Sequence, residues 1–244
     1  MKILCVIPAR YASTRLPGKP LADIAGKPMI SRVYERAAKA KLVDEVIAAT
    51  DDERVKQAVE ENGGRAMMTA KDHPTGTDRL AEVAAAYPGV DIVINVQGDE
   101  PLIEPSLIDE LARAMMEDEE LPMATVKTAI ADEAECRNPN NVKVVTDKNG
   151  FALYFSRSLL PYPRYDFGVP VYKHIGIYAY RRDFLLQYAK MAPTPLEQTE
   201  ALEQLRALEN GYRIKVIETA HRFVGVDTAE DLALVNKIYR ENNL

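Results

Sequence analysis

The chain of 244 residues has only two cysteines, Cys5 in an apolar run and Cys136 beside a charged segment. So few cysteines exclude a disulfide framework and a thiolate metal site. No apolar stretch approaches the length of a membrane span, and the N-terminal apolar run is too short for a signal-peptide core because Pro8 and Arg10 follow it. These absences predict a protein of the reducing cytoplasm that does not enter a membrane.

The chain also has fewer basic residues than acidic ones. The 31 lysines and arginines are outnumbered by 37 acidic residues, which leaves a formal net charge of -6. An acidic surface disfavours nonspecific attraction to nucleic acid or anionic membrane, and no segment interleaves aromatic and basic residues as nucleic-acid binders do. We therefore expect a small-molecule partner, and an anionic one needs a local basic pocket.

Two common phosphate-binding strings are missing as well. The pattern G-x-x-x-x-G-K-[ST] does not occur, and no G-x-G-x-x-G follows the first apolar run. P-loop kinases and dinucleotide-dependent oxidoreductases are therefore disfavoured.

A basic loop follows the first apolar run instead. Lys2 to Ile7 is rich in β-branched residues, which predicts a central strand of a parallel sheet that Pro8 ends. The next loop carries Arg10, Arg15 and Lys19. Ligands bind at the carboxyl edge of such sheets, and the guanidinium fork suits phosphate oxygens, so the spacing predicts a polyphosphate site. The alternative is three solvated surface cations.

Predicted strands and helices alternate along most of the chain. Strands are predicted at 2–7, 43–50, 65–69, 91–96 and 213–218, and helices at 28–41, 51–62, 77–87, 105–119, 182–191, 195–208 and from 228 onward. Alternation of this kind is typical of right-handed crossovers between parallel strands. The predicted fold is α/β, a doubly wound sheet that is mixed but mostly parallel.

The pattern changes between residues 138 and 180. Strands are predicted at 142–146, 151–155 and 173–180, and the first two leave no room for a crossover helix. Asn149 and Gly150 between them suit a tight hairpin. We therefore predict a single domain over residues 1–244 with a small antiparallel insertion at about 138–180.

Two aspartates are candidate metal ligands. Asp99 follows a strongly apolar run and stands beside Gly98, whose missing side chain would let a ligand approach the backbone. Mg²⁺ is commonly held by one or two carboxylates together with substrate phosphates. Asp227 is the second candidate. The alternative for each is helix capping, by Asp99 as a turn residue or by Asp227 with Glu230, or Thr228 with Asp231, in a capping box.

Seven segments in this order resemble one family over nearly the whole chain. They are RYASTRLPGKPL at 10–21, GTDR at 76–79, NVQGDEP at 95–101, YFSR at 154–157, HIGIY at 174–178, LEQLR at 202–206 and GVDT at 225–228. Together they resemble the 3-deoxy-manno-octulosonate cytidylyltransferases, or CMP-KDO synthetases. The first segment alone is shared with other sugar nucleotidyltransferases, whereas the combination is far more specific.

The resemblance implies a fold, a reaction and partners. The fold is that of the nucleotide-diphospho-sugar transferases. The reaction transfers CMP from CTP to the 2-hydroxyl of 3-deoxy-D-manno-octulosonate (KDO), with Mg²⁺ and release of pyrophosphate, in a cytoplasmic homodimer serving lipopolysaccharide synthesis. The insertion at 138–180 would then bind the sugar and form the dimer contact.

The resemblance also assigns the site residues, which fall into three groups. For the triphosphate it implies Arg10, Ser13, Arg15 and Lys19, and for the cytosine the segment 69–73 with Thr69, Ala70 and His73. For the sugar acid it implies Arg79, Gln97, Arg157, His174, Tyr178, Glu203 and Gln204. Asp99 and Asp227 would hold the metal and, with Arg15 and Lys19, form the catalytic group.

Several of these residues have ordinary structural alternatives. Alternation along a strand places His174, Gly176 and Tyr178 on one face and an isoleucine row on the other, which is also the pattern of a half-exposed sheet. Glu203 and Gln204 could form a solvated helix face, while Arg79 and Arg157 could be surface residues.

Two points separate this chain from relatives or leave its substrate open. His221-Arg222-Phe223 replaces the glycine-rich approach that many relatives have before Asp227, so that loop could differ in shape. The sugar could be an 8-amino form of KDO, a nine-carbon sialic acid or a sugar 1-phosphate. A non-catalytic nucleotide-binding protein is disfavoured because both aspartates are present.

Overall fold

The computed structural model describes residues 1–12, 16–165, 168–221 and 223–242. Within these ranges the strands, numbered in chain order, are β1 Ile3–Ala9, β2 Asp23–Ile24, β3 Lys27–Pro28, β4 Glu45–Thr50, β5 Ala66–Met68, β6 Ile92–Asn95, β7 Met123–Ile130, β8 Lys143–Thr146, β9 Ala152–Ser156, β10 Val171–Arg181 and β11 Ile214–Glu218. The helices are α1 Met29–Ala37, α2 Glu53–Glu61, α3 Gly76–Ala86, α4 Pro105–Glu117, α5 Glu133–Arg137, α6 Arg182–Tyr188, α7 Pro195–Glu200, α8 Gln204–Glu209 and α9 Ala229–Asn242.

The central sheet has the strand order β11-β7-β10-β6-β1-β4-β5. Its pairings are parallel except at β10, which runs antiparallel to both neighbours. The prediction of a mixed, mostly parallel sheet is therefore confirmed. Because β1 and β6 are adjacent and parallel, their carboxyl ends meet at one edge, which is where ligands bind in sheets of this kind.

Helices cover both faces of the sheet, as a doubly wound fold requires. Ile3, Cys5 and Ile7 of β1 pack on one side with α1, α2 and α4. Leu4 and Val6 pack on the other side with α3, α6 and α8. Every one of these five side chains is almost completely buried, so both faces of β1 lie in the core. No helix within the described ranges is long and apolar enough to span a membrane.

The prediction that Pro8 ends the first strand was wrong. Strand β1 continues to Ala9, and Pro8 stays in register with Ala49 of β4. The pairing of β1 with β6 ends earlier, at Val6 and Asn95. Pro8 therefore lies beyond the reach of one neighbouring strand, where a missing backbone donor costs little.

The insertion is a hairpin that continues the main sheet. Strands β8 and β9 pair with each other, and β8 also pairs with β10 at Lys173. The predicted tight turn is confirmed, with Gly150 at a φ of 77° and its N–H donating to the Asp147 carbonyl at 3.1 Å. Strand β10 itself lies between β6 and β7, so the third predicted strand of the insertion belongs to the central sheet.

The predicted single helix at 195–208 is two short helices. Ala201 adopts a left-handed conformation with a φ of 50°, which ends α7 and starts a new turn before α8. The helical spacing of Leu202, Leu205 and Leu208 concealed this break. Its consequence is functional, because it places Glu203 and Gln204 at the N-terminus of α8 rather than on the side of a long helix.

Helix α9 closes a third, smaller core beside the sheet. Val235 and Tyr239 of α9 pack against Ile24, Met29 and Val226. The Tyr239 hydroxyl donates to the Pro101 carbonyl at 2.5 Å. These contacts bring the segment before α9 to the edge where β1 and β6 end.

Candidate active site

A basic residue and two acidic residues meet at the carboxyl edge of the sheet. The Lys19 Nζ lies 2.6 Å from the Asp99 Oδ2 and 3.0 Å from the Asp227 Oδ1. Burial opposes the charge on Lys19, but the two carboxylates outweigh it and raise the pKa of this lysine. The structure thus brings together residues that are 80 and 208 positions apart in sequence.

The Asp227 loop is held against Asp99 by its backbone. The Val226 N–H donates to the Asp99 carbonyl at 2.9 Å. A side chain at Gly225 would begin 3.0 Å from Oε1 of Glu100, so glycine permits this close approach. The loop therefore presents Asp227 at the site even though His221 and Phe223 replace a glycine-rich approach; Arg222 lies outside the described residues.

The capping alternative for Asp227 is resolved by its neighbours. The Asp231 N–H donates to the Thr228 Oγ1 at 3.2 Å, and the Thr228 N–H donates to the Asp231 Oδ2 at 2.9 Å. Thr228 and Asp231 therefore form the reciprocal capping box at the start of α9. The carboxylate of Asp227 is left to face Lys19.

Gly98 is required for a reason that the sequence did not reveal. A Cβ at this position would lie 2.8 Å from the Pro8 carbonyl oxygen, so the chain after β6 passes directly against the end of β1. Beside it, a cavity of about 100 Å³ is lined by Arg10, Lys19, Gly98 and Asp99, among others. The other two predicted triphosphate residues, Ser13 and Arg15, lie outside the described residues.

The predicted cytosine segment is held by helix α3. Glu82 accepts a hydrogen bond from the Ala70 N–H at 2.9 Å and contacts the His73 Nε2. Thr69 is buried; its hydroxyl donates to the Thr50 carbonyl at 3.0 Å and accepts from the Arg79 guanidinium. Glu82 was missed from the sequence because a lone glutamate on a helix carries no signal of such a contact.

A second cavity of about 200 Å³ lies on the α3 and α8 side of the sheet. Five of the residues predicted for the sugar acid line it, namely Arg79, Gln97, Tyr178, Glu203 and Gln204. The Gln97 Nε2 donates to the Gly176 carbonyl at 3.0 Å, at the irregularity in the pairing of β10 with β7. Pro8, Arg10 and Gln97 line both cavities, so the two are neighbours.

Four buried polar atoms at this cavity have no hydrogen-bond partner within the described ranges. They are Nε of Arg79, Oδ1 of Asn95, Oε1 of Glu203 and Nε2 of Gln204. A buried polar group without a partner costs about 1–3 kcal/mol. Burial also raises the pKa of Glu203. Unpaired donors and acceptors around one cavity indicate a site for a polar ligand that supplies the missing partners.

His174 and Arg157 do not line this cavity. His174 lies below it, with its Nε2 3.0 Å from the Thr125 Oγ1 and its ring centroid 5.4 Å from that of Tyr178. The Arg157 guanidinium donates to the carbonyls of Glu200, Ala201 and Pro139, at 2.7, 3.3 and 3.1 Å. His174 therefore contacts a lining residue, Tyr178, whereas Arg157 binds the backbone just before Glu203 and, among the described residues, reaches no lining residue in this conformation.

The loss of folding stability at acidic pH should depend on His174. Burial lowers the pKa of this imidazole to about 3, whereas the unfolded chain takes up the proton near pH 6.5. Stability is therefore lost as the pH falls below 6.5, and this one group accounts for about 2 kcal/mol between pH 7 and pH 5. Urea unfolding at both pH values should show that difference between the wild type and His174→Gln, and equal pH dependence of the two would contradict it.

Asn95, Thr77 and Tyr188 also line the cavity and were not predicted as site residues. The Tyr188 hydroxyl donates to the Glu203 carbonyl at 2.6 Å and so fixes the start of α8. Thr77 is buried in the first turn of α3. Thr77 and Asn95 both lie in segments that carry the family resemblance, and Asn95 is in addition a polar residue inside the apolar run from Ile92 to Val96.

Comparison with known proteins places this geometry in a family context. A family model described as cytidylyltransferase matches residues 4–216. A 3-deoxy-manno-octulosonate cytidylyltransferase of Geobacter sulfurreducens is 57% identical over 246 residues, covering 96% of this chain and 98% of the relative. A 3-deoxy-manno-octulosonate cytidylyltransferase of Fusobacterium nucleatum is 54% identical over 244 residues, covering 100% of this chain and 99% of the relative.

A solved structure is similar over the same length. It is the structure of a CMP:2-keto-3-deoxy-manno-octonic acid synthetase complexed with CTP, with a TM-score of 0.95 and 50% sequence identity. The match covers 99% of this chain and 100% of that one.

Proposed function

The chain belongs to the 3-deoxy-manno-octulosonate cytidylyltransferase family, and from this premise we propose that it transfers CMP from CTP to the 2-hydroxyl of KDO. The hydroxyl oxygen forms a bond to the α-phosphorus, the bond from that phosphorus to the β-phosphate oxygen breaks, and pyrophosphate and the hydroxyl proton leave. The product would be CMP-KDO for lipopolysaccharide synthesis.

The observation that carries the proposal is the adjacency of two different sites. The cluster of Lys19, Asp99 and Asp227 is charged and partly open, as a triphosphate site needs to be. The neighbouring cavity is lined by residues that carry four unpaired polar atoms, which a polyhydroxylated acid could pair. Arg10 and Gln97 line both, so a nucleotide and a sugar bound there would touch, and positioning supplies most of what this transfer requires.

The residues present fit a magnesium ion. Asp99 and Asp227 both direct carboxylate oxygens at the one point that the Lys19 ammonium occupies, and hard oxygen donors are what Mg²⁺ prefers. No three carboxylates, histidines or cysteines of the described ranges form a metal site by themselves, so substrate phosphates would complete the coordination. When bound, Mg²⁺ would offset charge on the triphosphate and lower the pKa of the attacking hydroxyl.

The cationic side chains then have a role of their own. Lys19 is positively charged at neutral pH, as lysines ordinarily are, and its two carboxylate partners raise its pKa further. Arg10 lies at the wall between the two cavities. We propose that these charges, with Arg15 and the hydroxyl of Ser13 in the same loop, bind the triphosphate and stabilise the departing pyrophosphate.

Pyrophosphate release tests the proposal directly. The purified protein would be given Mg²⁺ and a panel of nucleoside triphosphates, each with KDO, 8-amino-KDO, a nine-carbon sialic acid or a sugar 1-phosphate. We expect the highest kcat/KM with CTP and KDO. Release that depends on a different sugar class, or no release with any pair, would overturn the assignment.

Substitution of Glu203 should affect the sugar acid alone. Glu203→Ala removes a buried acceptor at the sugar cavity, so we expect the KM for KDO to rise about tenfold to a hundredfold. Titration with CTP in the absence of sugar should give an unchanged Kd. Glu117→Ala, which changes an exposed glutamate on α4, is the control, and a loss confined to CTP affinity would contradict the role.

The insertion is also proposed to form a homodimer contact. Leu153, Tyr162, Tyr165 and Val169 are large apolar side chains that remain 62–82% exposed there. Exposed apolar groups in one region commonly mark a protein interface. Light scattering should give twice the chain mass, and a monomer at micromolar concentration would contradict the proposal.

A cytoplasmic location is also proposed. The two cysteines, Cys5 and Cys136, are buried and free, which is compatible with a reducing compartment.

A further inference from the structure

Asn95 is a polar side chain in a row that is otherwise apolar. It is the last residue of β6, where it stands in register between Val6 of β1 and Tyr178 of β10. Side chains alternate along a strand, so Asn95 projects to the same side of the sheet as Val93, which lies in the core beneath α3 and α6. Asn95 is only 4% exposed.

The fold supplies no partner for the amide oxygen of Asn95. Its Oδ1 is buried and accepts no hydrogen bond from the described residues. Valine or leucine would serve the fold better at this position, because an unpaired buried acceptor is destabilising. The fold therefore gives no reason for asparagine here, whereas the cavity that Asn95 lines gives one.

The other unpaired atoms at the cavity indicate which groups of a ligand would pair with the amide oxygen of Asn95. Arg79 Nε and Gln204 Nε2 are donors, and they suit the carboxylate or ether and hydroxyl oxygens of a sugar acid. Asn95 Oδ1 and Glu203 Oε1 are the unpaired oxygens, and an acceptor can be matched only by a donor on the ligand. In a sugar acid, the available donors are its hydroxyl groups.

We infer that Asn95 is a specificity-determining residue, whose amide oxygen accepts a hydrogen bond from a non-reacting hydroxyl of the sugar acid. This inference rests on the proposed function, since it takes the occupant of the cavity to be the sugar. It extends that function by assigning recognition of the sugar hydroxyls to a residue that takes no part in the transfer of CMP. Asn95 then discriminates among sugars without touching the reacting atoms.

A cycle that combines protein and substrate changes tests the inference. Values of kcat/KM would be measured for wild type and Asn95→Leu with KDO and with analogues that lack one non-reacting hydroxyl each. Leucine is close to asparagine in shape and removes only the polar atoms. We expect Asn95→Leu to lower kcat/KM with KDO by about 10- to 100-fold. The analogue that lacks the hydroxyl bound by Asn95 should show no further loss of kcat/KM in this variant.

Thermal unfolding provides a second readout that separates a binding role from a structural one. Asn95→Leu removes an unpaired buried acceptor, so its Tm should equal or exceed that of the wild type. Ser31→Ala is the matched control, because Ser31 is also buried but its hydroxyl donates to the Ala58 carbonyl at 3.2 Å. Ser31→Ala should lower the Tm and leave the sugar preference unchanged.

The outcomes are distinguishable from one another. If wild type releases pyrophosphate with KDO but every analogue loses the same factor in wild type and in Asn95→Leu, the inference is overturned and the proposed function stands. A fall in the Tm of Asn95→Leu with unchanged kcat/KM for KDO likewise overturns it. If wild type releases no pyrophosphate with KDO, both the proposed function and the inference fall.

Discussion

Asp99→Asn is expected to abolish detectable transfer while the melting temperature stays at the wild-type value. The substitution keeps the shape of the side chain and removes one charge from the point where Asp99, Asp227 and Lys19 meet. Two unit charges about 4 Å apart interact by about 4 kcal/mol at an effective dielectric near 20. Loss of one such charge should slow transfer by at least about a hundredfold.

The fold should tolerate this change because Asp99 is partly open to solvent. Its side chain is 36% exposed, and it sits in a turn rather than in the core. Pyrophosphate release and a melting curve on the same preparation measure the two quantities. Activity near the wild-type value would remove Asp99 from the proposed metal site.

Asp109→Asn is a control for the loss of an aspartate charge away from the proposed active site. Asp109 lies on α4 and accepts hydrogen bonds from the Lys41 and Leu42 N–H groups, both at 2.8 Å. These partners lie between α1 and β4 rather than at the edge of the sheet where Lys19 lies. We expect this variant to lose some stability and to keep its kcat, which is the reverse of the result for Asp99→Asn.

Lys143→Met is expected to destabilise the protein by about 3 kcal/mol. Lys143 is completely buried, and its Nζ donates to the carbonyls of Asn138, Asn141 and Arg157, at 2.9, 2.5 and 2.6 Å. Burial lowers the pKa of this lysine. Methionine fills the space of the stem but leaves three carbonyl oxygens without that donor, each at a cost of about 1–3 kcal/mol, offset in part because no charge is then buried.

Urea unfolding would measure this loss, with Lys215→Met as the control. Lys215 is also on a strand beside the hairpin, but its Nζ donates to a single carbonyl, that of Asn149, from an exposed position. Its replacement should change stability by less than about 1 kcal/mol. Equal effects of the two substitutions would show that the triple contact of Lys143 does not anchor the hairpin.

The basic loop and Asp99 could be placed together from the sequence. Each follows an apolar run with the composition of a buried parallel strand, and the ends of adjacent parallel strands meet at one edge. The structure bears out that reasoning, since Lys19 contacts Asp99. The metal-binding role of Asp99 stays a prediction until the activity of its variants is measured.

Asp227 could not be placed in the same way, since it follows no strand of that edge. It reaches the site because α9 packs beside Ile24 and Met29, and because Val226 bonds to the Asp99 backbone. From the sequence, helix capping was the favoured interpretation for Asp227. The capping box of Thr228 and Asp231 decided against it, and only coordinates reveal which of two overlapping boxes forms.

Strand β7 and the break before α8 were both missed, for related reasons. β7 contains Lys127 and two pairs of threonine and alanine with weak apolar character, yet Lys127 is buried against Thr146 and the ring of Tyr172. The break at Ala201 falls inside an unbroken helical spacing of leucines. In both places tertiary contacts outweigh local preference, which is why the pattern alone was misleading.

Periodicity and motif order are local properties of the chain, so the alternating α/β architecture, the family and the polar residues available for chemistry could all be predicted before the fold was known. Which of those residues share a site depends on the fold. The convergence of Asp227 on Lys19, the presence of Asn95 and Glu203 in one cavity, and the absence of Arg157 and His174 from the described lining of that cavity depend on how distant segments pack. Packing over such distances leaves no local pattern in the sequence, and this is the physical reason for the division.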